Sequence, residues 1–155
     1  MKGEEETMAR HVFFSFHYQR DIVRVNQIRN LPEIVDESAA GFKDSSLWEE
    51  AKKKSDDAVK KLIDDGLIGT SVTVVCIGNK TAGRKFINYE IQKSIDRGNG
   101  ILGVQIHHLK NFAGEVDTAG DTPALLTKNK YPVYKYDDHT KLKAWIEAAA
   151  KAAGK

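Results

Sequence analysis

The fold of this chain is decided by the segment TSVTVVCI, residues Thr70–Ile77, which Gly78 follows directly. The residues at positions 72–75 and 77 are all β-branched, and such side chains favour extended backbone. The glycine marks the end of the run. The segment is therefore predicted to be the strongest strand of the protein, next to the first strand of the chain.

Four further strands are predicted around it. The first, His11–Phe16, is an apolar run without alternation, as is typical of a strand buried on both faces. A short second strand is expected within Glu33–Asp44. Ile101–Ile106 predicts a fourth, buried strand, and Tyr131–Tyr136 a fifth at the edge of the sheet.

Helices are predicted between these strands. Apolar spacing indicates a first helix over Arg20–Leu31, which stops before a proline. A second helix is predicted from the capping-box pair Ser46 and Glu49 to a C-cap at Gly66. A third covers Arg84–Arg97, where isoleucines recur every four residues and Gly98 follows. In the last helix Leu142, Trp145, Ile146 and Ala149 form an apolar stripe, and Asp137 or Asp138 caps its first turn.

Alternation of strands and helices predicts an α/β protein with a parallel sheet covered on both faces. In such a sheet ligands bind beyond the carboxyl ends of the strands. This rule selects Ser15–Arg20, Phe42–Trp48 and Gly78–Glu90. The polar stretch His107–Lys130 shows no period, and structureless loops of that length are often functional or interfacial.

The composition bounds the class of protein. A chain of 155 residues fits one domain, expected over residues 9–155, with a flexible tail over 1–8. The net charge of +2 is dispersed, which argues against a nucleic-acid partner. A single cysteine forms no internal disulfide, and no apolar run is long enough to span a membrane. A cytoplasmic location is expected.

Several familiar kinds of site do not fit the strand ends. No glycine-rich phosphate loop follows a strand, which argues against nucleotide or FMN carriers, and the acidic cluster of a phosphoacceptor receiver domain is missing. His107 and His108 directly follow a predicted strand, and adjacent residues of extended backbone point to opposite faces, so no metal site is expected. Cys76, in mid-strand, is expected to pack in the core.

The remaining candidate is Glu90, which lies one helical turn after Phe86 in the segment RKFINYE, residues Arg84–Glu90. A carboxylate beside an aromatic ring suits several kinds of site. On spacing alone, however, a glutamate in a helix is more often a solvated surface residue, and both interpretations remain open at this point.

Four motifs together resemble the TIR-like proteins of the Thoeris anti-phage system. They are VFFSFHY at Val12–Tyr18, SAAG at Ser38–Gly41, SLWE at Ser46–Glu49 and RKFINYEI at Arg84–Ile91. The resemblance covers about Arg10 to Ile106, and the ordered set is far more specific than any one motif.

This resemblance implies a flavodoxin-like TIR fold, doubly wound, with five mainly parallel strands in the order 2-1-3-4-5. It also implies an enzyme that takes NAD as its substrate, not as a cofactor, and cleaves the nicotinamide–ribose bond. The product would be a cyclic ADP-ribose-type signal that activates a downstream Thoeris effector. The alternative is a non-catalytic TIR scaffold that signals by self-association. TIR domains commonly assemble, so the resemblance is compatible with a homo-oligomer, but the sequence leaves the oligomeric state open.

The resemblance also assigns roles to single residues. Glu90 occupies the place of the catalytic glutamate, with Phe86 where the family usually has tryptophan. Ser15, Phe16 and Tyr18 either line the nucleotide pocket or support its loop, and Asp44 and Trp48 belong to the loop after strand two, where the indole either stacks on a base or anchors a helix. Arg84 and Lys85 either meet the pyrophosphate or are solvated.

Overall fold

The computed structural model describes residues 10–29, 35–36 and 51–155, and the statements below refer to these. They contain five strands: β1 His11–Ser15, β2 Val35–Asp36, β3 Val72–Ile77, β4 Gly100–Gln105 and β5 Val133–Lys135. Each predicted strand is present, one to three residues shorter than predicted for β1, β3 and β5 and shifted by one residue for β4. The predicted tail, residues 1–8, lies outside the described residues.

All five strands form one parallel sheet in the order β2-β1-β3-β4-β5, which confirms the predicted order. Strand β3 pairs with β1 on one side, Phe14 opposite Val74, and with β4 on the other, Val74 opposite Leu102. Every residue of β3 is buried, Cys76 included. The β-branched segment is therefore the centre of the sheet, because only a central strand loses water from both faces.

Helices cover both faces of the sheet. They are α1 Tyr18–Arg29, α2 Asp56–Leu67, α3 Lys85–Arg97, α4 Ala124–Lys128 and α5 His139–Ala152, and residues 51–54 are also helical. Helix α3 packs Ile87 and Ile91 against Val75 and Ile77 of β3. On the other face α5 crosses Gly100 so closely that a Cβ there would lie 2.3 Å from a backbone oxygen. No helix in the described ranges is long and apolar enough to cross a bilayer.

Helix α1 begins two residues before its predicted start and α3 one residue after, and the helix predicted to end at Gly66 differs from the structure in two places. The expected continuous helix up to Gly66 is wrong, because Ser55 starts a new one: its side chain accepts the N–H of Ala58 and caps α2. Gly66 is buried inside α2, and the left-handed turn is made three residues later by Gly69 at φ 86°. The capping pair Ser46 and Glu49 lies outside the described residues.

The last helix, α5, was predicted to be capped by Asp137 or Asp138, and the structure shows which of the two is the cap. Asp138 accepts the N–H of Lys141 at 2.9 Å and is the N-cap of α5. Within the predicted apolar stripe Leu142, Ile146 and Ala149 are buried. Trp145 is half-buried because it stacks on Tyr134 of β5, with ring centroids 4.3 Å apart.

The connection from β4 to β5 corrects two predictions. It is not structureless, since it contains the five-residue helix α4, whose Leu126 is fully buried. His107 and His108 do not lie in a strand: they follow β4 in a turn, both half-buried, with ring centroids 5.1 Å apart. Ile106, the first residue after β4, is buried, and the chain turns directly after it.

A buried arginine fastens this connection to α1. Arg24, 2% exposed, donates its Nε–H to the backbone oxygen of Leu109 at 2.7 Å and an Nη2–H to that of Glu115 at 3.1 Å. Its other nitrogen, Nη1, lies 3.1 Å from Asp21 and 3.3 Å from Asp117. Because four acceptors surround one guanidinium, the segment from 109 to 117 is held at the carboxyl edge of the sheet.

Candidate active site

Ser15 and Glu90 meet at the carboxyl edge of the sheet. Ser15 is the last residue of β1, and Glu90 lies in the second turn of α3, the helix after β3. Because β1 and β3 are parallel neighbours, the end of one strand faces the helix that follows the other. The Ser15 hydroxyl donates a short hydrogen bond to Glu90 Oε1, and both side chains are buried.

Burial changes the acidity of this glutamate. Glu90 is 4% exposed, and desolvation raises its pKa from 4.5 to about 8, although the hydrogen bond from Ser15 acts in the opposite direction. At pH 7 the side chain is therefore mostly a neutral acid, and a cation bound beside it would favour the carboxylate.

A chain of buried hydroxyl groups fixes the turn of α3 that carries Glu90. Ser94 Oγ donates to the Glu90 carbonyl at 2.7 Å and lies 2.7 Å from Thr73 Oγ1 of β3. Asn99 Nδ2 in turn donates to Thr73 at 3.2 Å. Each hydroxyl group has only one hydrogen to donate, so the bonds run from Asn99 through Thr73 and Ser94 to the Glu90 carbonyl. They tie α3 to the central strand.

Glu90 lines a cavity of about 330 Å³. Phe16, Phe86 and Ile87 provide apolar walls, and Lys52, Arg84 and Lys85 provide positive charge. The Lys85 ammonium group lies 5.0 Å from the centre of the Phe86 ring and also pairs with Asp56. A cavity of this kind suits a ligand with a flat apolar part and an anionic part, and ligand pockets span about 300–1,000 Å³.

A second and larger cavity, of about 630 Å³, lies at the opposite end of the sheet, at the amino ends of β4 and β5. Asn99, Tyr131, Tyr134 and alanines of α5 line it. None of its lining residues carries a carboxylate. The cavity around Glu90 is the stronger candidate, because it combines a buried acid with the ligand edge of a doubly wound sheet.

The structure brings together most of the predicted site residues. Phe16, Arg84, Lys85, Phe86 and Glu90 line one cavity, and Ser15 joins it through its hydrogen bond to Glu90.

Of the three remaining predicted residues, only Tyr18 lies within the described part of the chain, and it does not line that cavity. Tyr18 is buried in the core, with its ring stacked on Phe16 at 5.7 Å, which fits the supporting role left open above. Asp44 and Trp48 lie outside the described residues, so their predicted contacts stay predictions.

Sequence reasoning missed the other residues of the wall. The cavity is also lined by His17, Gln19, Lys52, Gly83 and Ile87. His17 stood inside the quoted VFFSFHY motif, directly after a predicted strand, and that position was a usable signal. No sequence signal pointed to Lys52, because its position beside the cavity depends on how the helical segment 51–54 packs.

Comparisons with known proteins show what the chain is similar to. Residues 13–111 match the family described as "Thoeris protein ThsB, TIR-like domain". The chain is also 50% identical, over 119 residues, to a protein of Bacillus cereus (strain MSX-D12) named as a candidate cyclic ADP-D-ribose synthase, ThsB1. That similarity covers 75% of this chain and 62% of the relative, so the chain spans less than two thirds of that protein's length.

Proposed function

Because the chain belongs to the family of TIR-like domains of the Thoeris protein ThsB, we propose that it cleaves the nicotinamide–ribose bond of NAD at Glu90. The observation that carries the proposal is a buried glutamate held by Ser15 inside a cavity with aromatic walls and a basic rim. NAD has the matching parts: a flat cationic ring, a ribose and an anionic pyrophosphate.

Cleavage of the nicotinamide–ribose bond needs only one carboxylate. As the bond between ribose and nicotinamide breaks, its electron pair leaves with the pyridine nitrogen, and positive charge develops on the ribose, as in glycoside hydrolysis. A fixed carboxylate at Glu90 stabilises that charge and holds the ribose hydroxyls. Nicotinamide leaves as a neutral molecule, so no general acid has to protonate it.

The substrate itself supports ionisation of Glu90. The nicotinamide ring of NAD is positive before cleavage, and a cation in a cavity shielded from water lowers the pKa of a neighbouring carboxyl group. The same burial that favours the neutral form of Glu90 in the free protein strengthens the attraction of its carboxylate to the bound ring. Lys52, Arg84 and Lys85 are the groups available for the pyrophosphate.

The fate of the ribose decides the product. Attack by water gives linear ADP-ribose, and attack by a nucleophile of the adenosine half of the same molecule gives a cyclic product. We propose a cyclic ADP-ribose-type signal that activates a Thoeris effector, since the relative is named for such a synthesis. A homo-oligomer is compatible with the family and stays a prediction.

Incubation of the purified protein with NAD tests the proposal directly. We expect nicotinamide and an ADP-ribose product in equal amounts, with the product distinguished from linear ADP-ribose by chromatography and mass spectrometry. The assay covers a range of protein concentrations, because assembly would raise turnover at the upper end. NAD that stays intact at every concentration would favour the non-catalytic scaffold.

The reaction should also depend on pH in a defined direction. Only ionised Glu90 stabilises the developing cation, and kcat/KM reports the free enzyme, so kcat/KM for NAD should rise about tenfold per pH unit below about 8 and level off above it. Initial rates of nicotinamide release between pH 6 and 9 measure this.

The Ser15→Ala variant provides the matched comparison for this profile. It removes the hydrogen bond that lowers the pKa of Glu90, so its profile should move to higher pH. A wild-type profile that is flat from pH 6 to 9 would contradict the role of an ionising Glu90.

A further inference from the structure

His17 has two structural connections to the first helix and one to the cavity. Its backbone carbonyl accepts the N–H of Asp21 at 2.9 Å, the first helical hydrogen bond of α1. Its ring atom Nδ1 accepts the N–H of Arg20 at 3.3 Å, as a capping side chain does. The half-buried imidazole also lines the cavity that contains Glu90.

The capping contact fixes where the ring carries its proton. A neutral imidazole has one nitrogen that accepts and one that donates. Because Nδ1 accepts from Arg20, the proton is on Nε2. The side chain therefore offers the cavity an uncharged N–H donor.

The surroundings keep this imidazole neutral. Burial lowers the pKa of His17, and so do the positive charges of Arg84, Arg20 and Lys52, against a weaker opposing contact with its own backbone carbonyl. Protonation would also cost the capping hydrogen bond, since Nδ1 would lose its lone pair.

On the basis of the NAD-cleaving function proposed above, we propose that His17 determines specificity by donating its Nε2–H to the carboxamide oxygen of the nicotinamide ring. The pyrophosphate is anionic and is matched by the cations of the rim, Lys52, Arg84 and Lys85. The nicotinamide ring is cationic, so a charged donor beside it would be repelled. An uncharged donor fits the uncharged carbonyl that this ring carries.

The test is a thermodynamic cycle between the residue and the substrate. The substrates are NAD and an analogue with unsubstituted pyridine in place of nicotinamide, and the variants are wild type and His17→Asn. Asparagine is a favoured helix cap, so it preserves the start of α1, and it is too short to present the donor where histidine does. We expect kcat/KM for NAD to fall about 10-fold and kcat/KM for the analogue to change less than about twofold.

A second measurement does not need turnover. The Kd values of NAD and the pyridine analogue are determined in the Glu90→Gln background, with and without His17→Asn, and the Kd of NAD alone should rise about 10-fold. Equal losses for both ligands would overturn the proposal and leave His17 with a capping role only. Tight, His17-dependent binding of NAD without any nicotinamide release by the wild type would instead refute the proposed reaction and keep this inference.

Discussion

Glutamine in place of Glu90 should abolish nicotinamide release from NAD and at the same time make the folded protein more stable at pH 8. The loss of activity should be at least about 10³-fold in kcat, because a neutral amide cannot stabilise positive charge on the ribose. Glutamine has nearly the shape of glutamate and still accepts the hydrogen bond from Ser15. The cavity is therefore preserved while its charge is removed.

The gain in stability follows from the raised pKa. Between pH 4.5 and about 8 the folded protein keeps the Glu90 proton and the unfolded chain releases it, so the wild type loses stability as the pH rises through this range. The glutamine variant has no such proton. The difference in unfolding free energy between the two should be near zero at pH 4.5 and reach up to about 5 kcal/mol above pH 8.

Urea denaturation at pH 5, 6.5 and 8 measures that difference, and the NAD assay measures the activity of the same preparations. Glu115→Gln is the matched control, because the Glu115 side chain is exposed and the same charge is removed. It should leave both quantities unchanged. Equal turnover by Glu90→Gln and the wild type would remove the proposed mechanism, and equal stability at pH 8 would show that Glu90 is not desolvated.

Methionine in place of Arg24 should destabilise the fold by about 3–5 kcal/mol, the second large effect we expect. Arg24 is buried with Asp21, which is fully inaccessible and sits against the backbone of Gly78. Without the guanidinium, the carboxylate loses its buried counter-charge, and the backbone oxygens of Leu109 and Glu115 lose their donor. Leaving such groups unpaired is what makes the change costly.

Thermal and urea unfolding measure this effect, and the melting temperature should fall by about 6–20 °C. The control is Arg20→Met, one turn earlier in α1, since Arg20 also pairs with Asp117 but is exposed to solvent. That variant should lose less than about 1 kcal/mol. Adding Asp21→Asn to Arg24→Met should restore part of the stability, and a double variant no better than the single one would contradict the charge argument.

The amino-acid sequence by itself determined the five strands, most of the helices between them and their order along the chain. A β-branched run such as Thr70–Ile77 favours a buried strand, and the four-residue period of Ile87, Ile91 and Ile95 indicates a helix with one apolar face. These are properties of neighbouring residues. They sufficed to place Glu90 at the ligand edge of the sheet, together with Phe86 one turn before it.

Only the tertiary structure decided what surrounds Glu90. Its partner Ser15 is 75 positions away in the chain, and the pKa of about 8 arises from the removal of water by elements that meet only in the folded protein. The same holds for His17, whose place in the wall depends on where α1 begins, and for Arg24, whose acceptors lie 85 and 91 positions away. Local periodicity specifies which face of a helix is buried, but desolvation and hydrogen bonding depend on the atoms brought against that face.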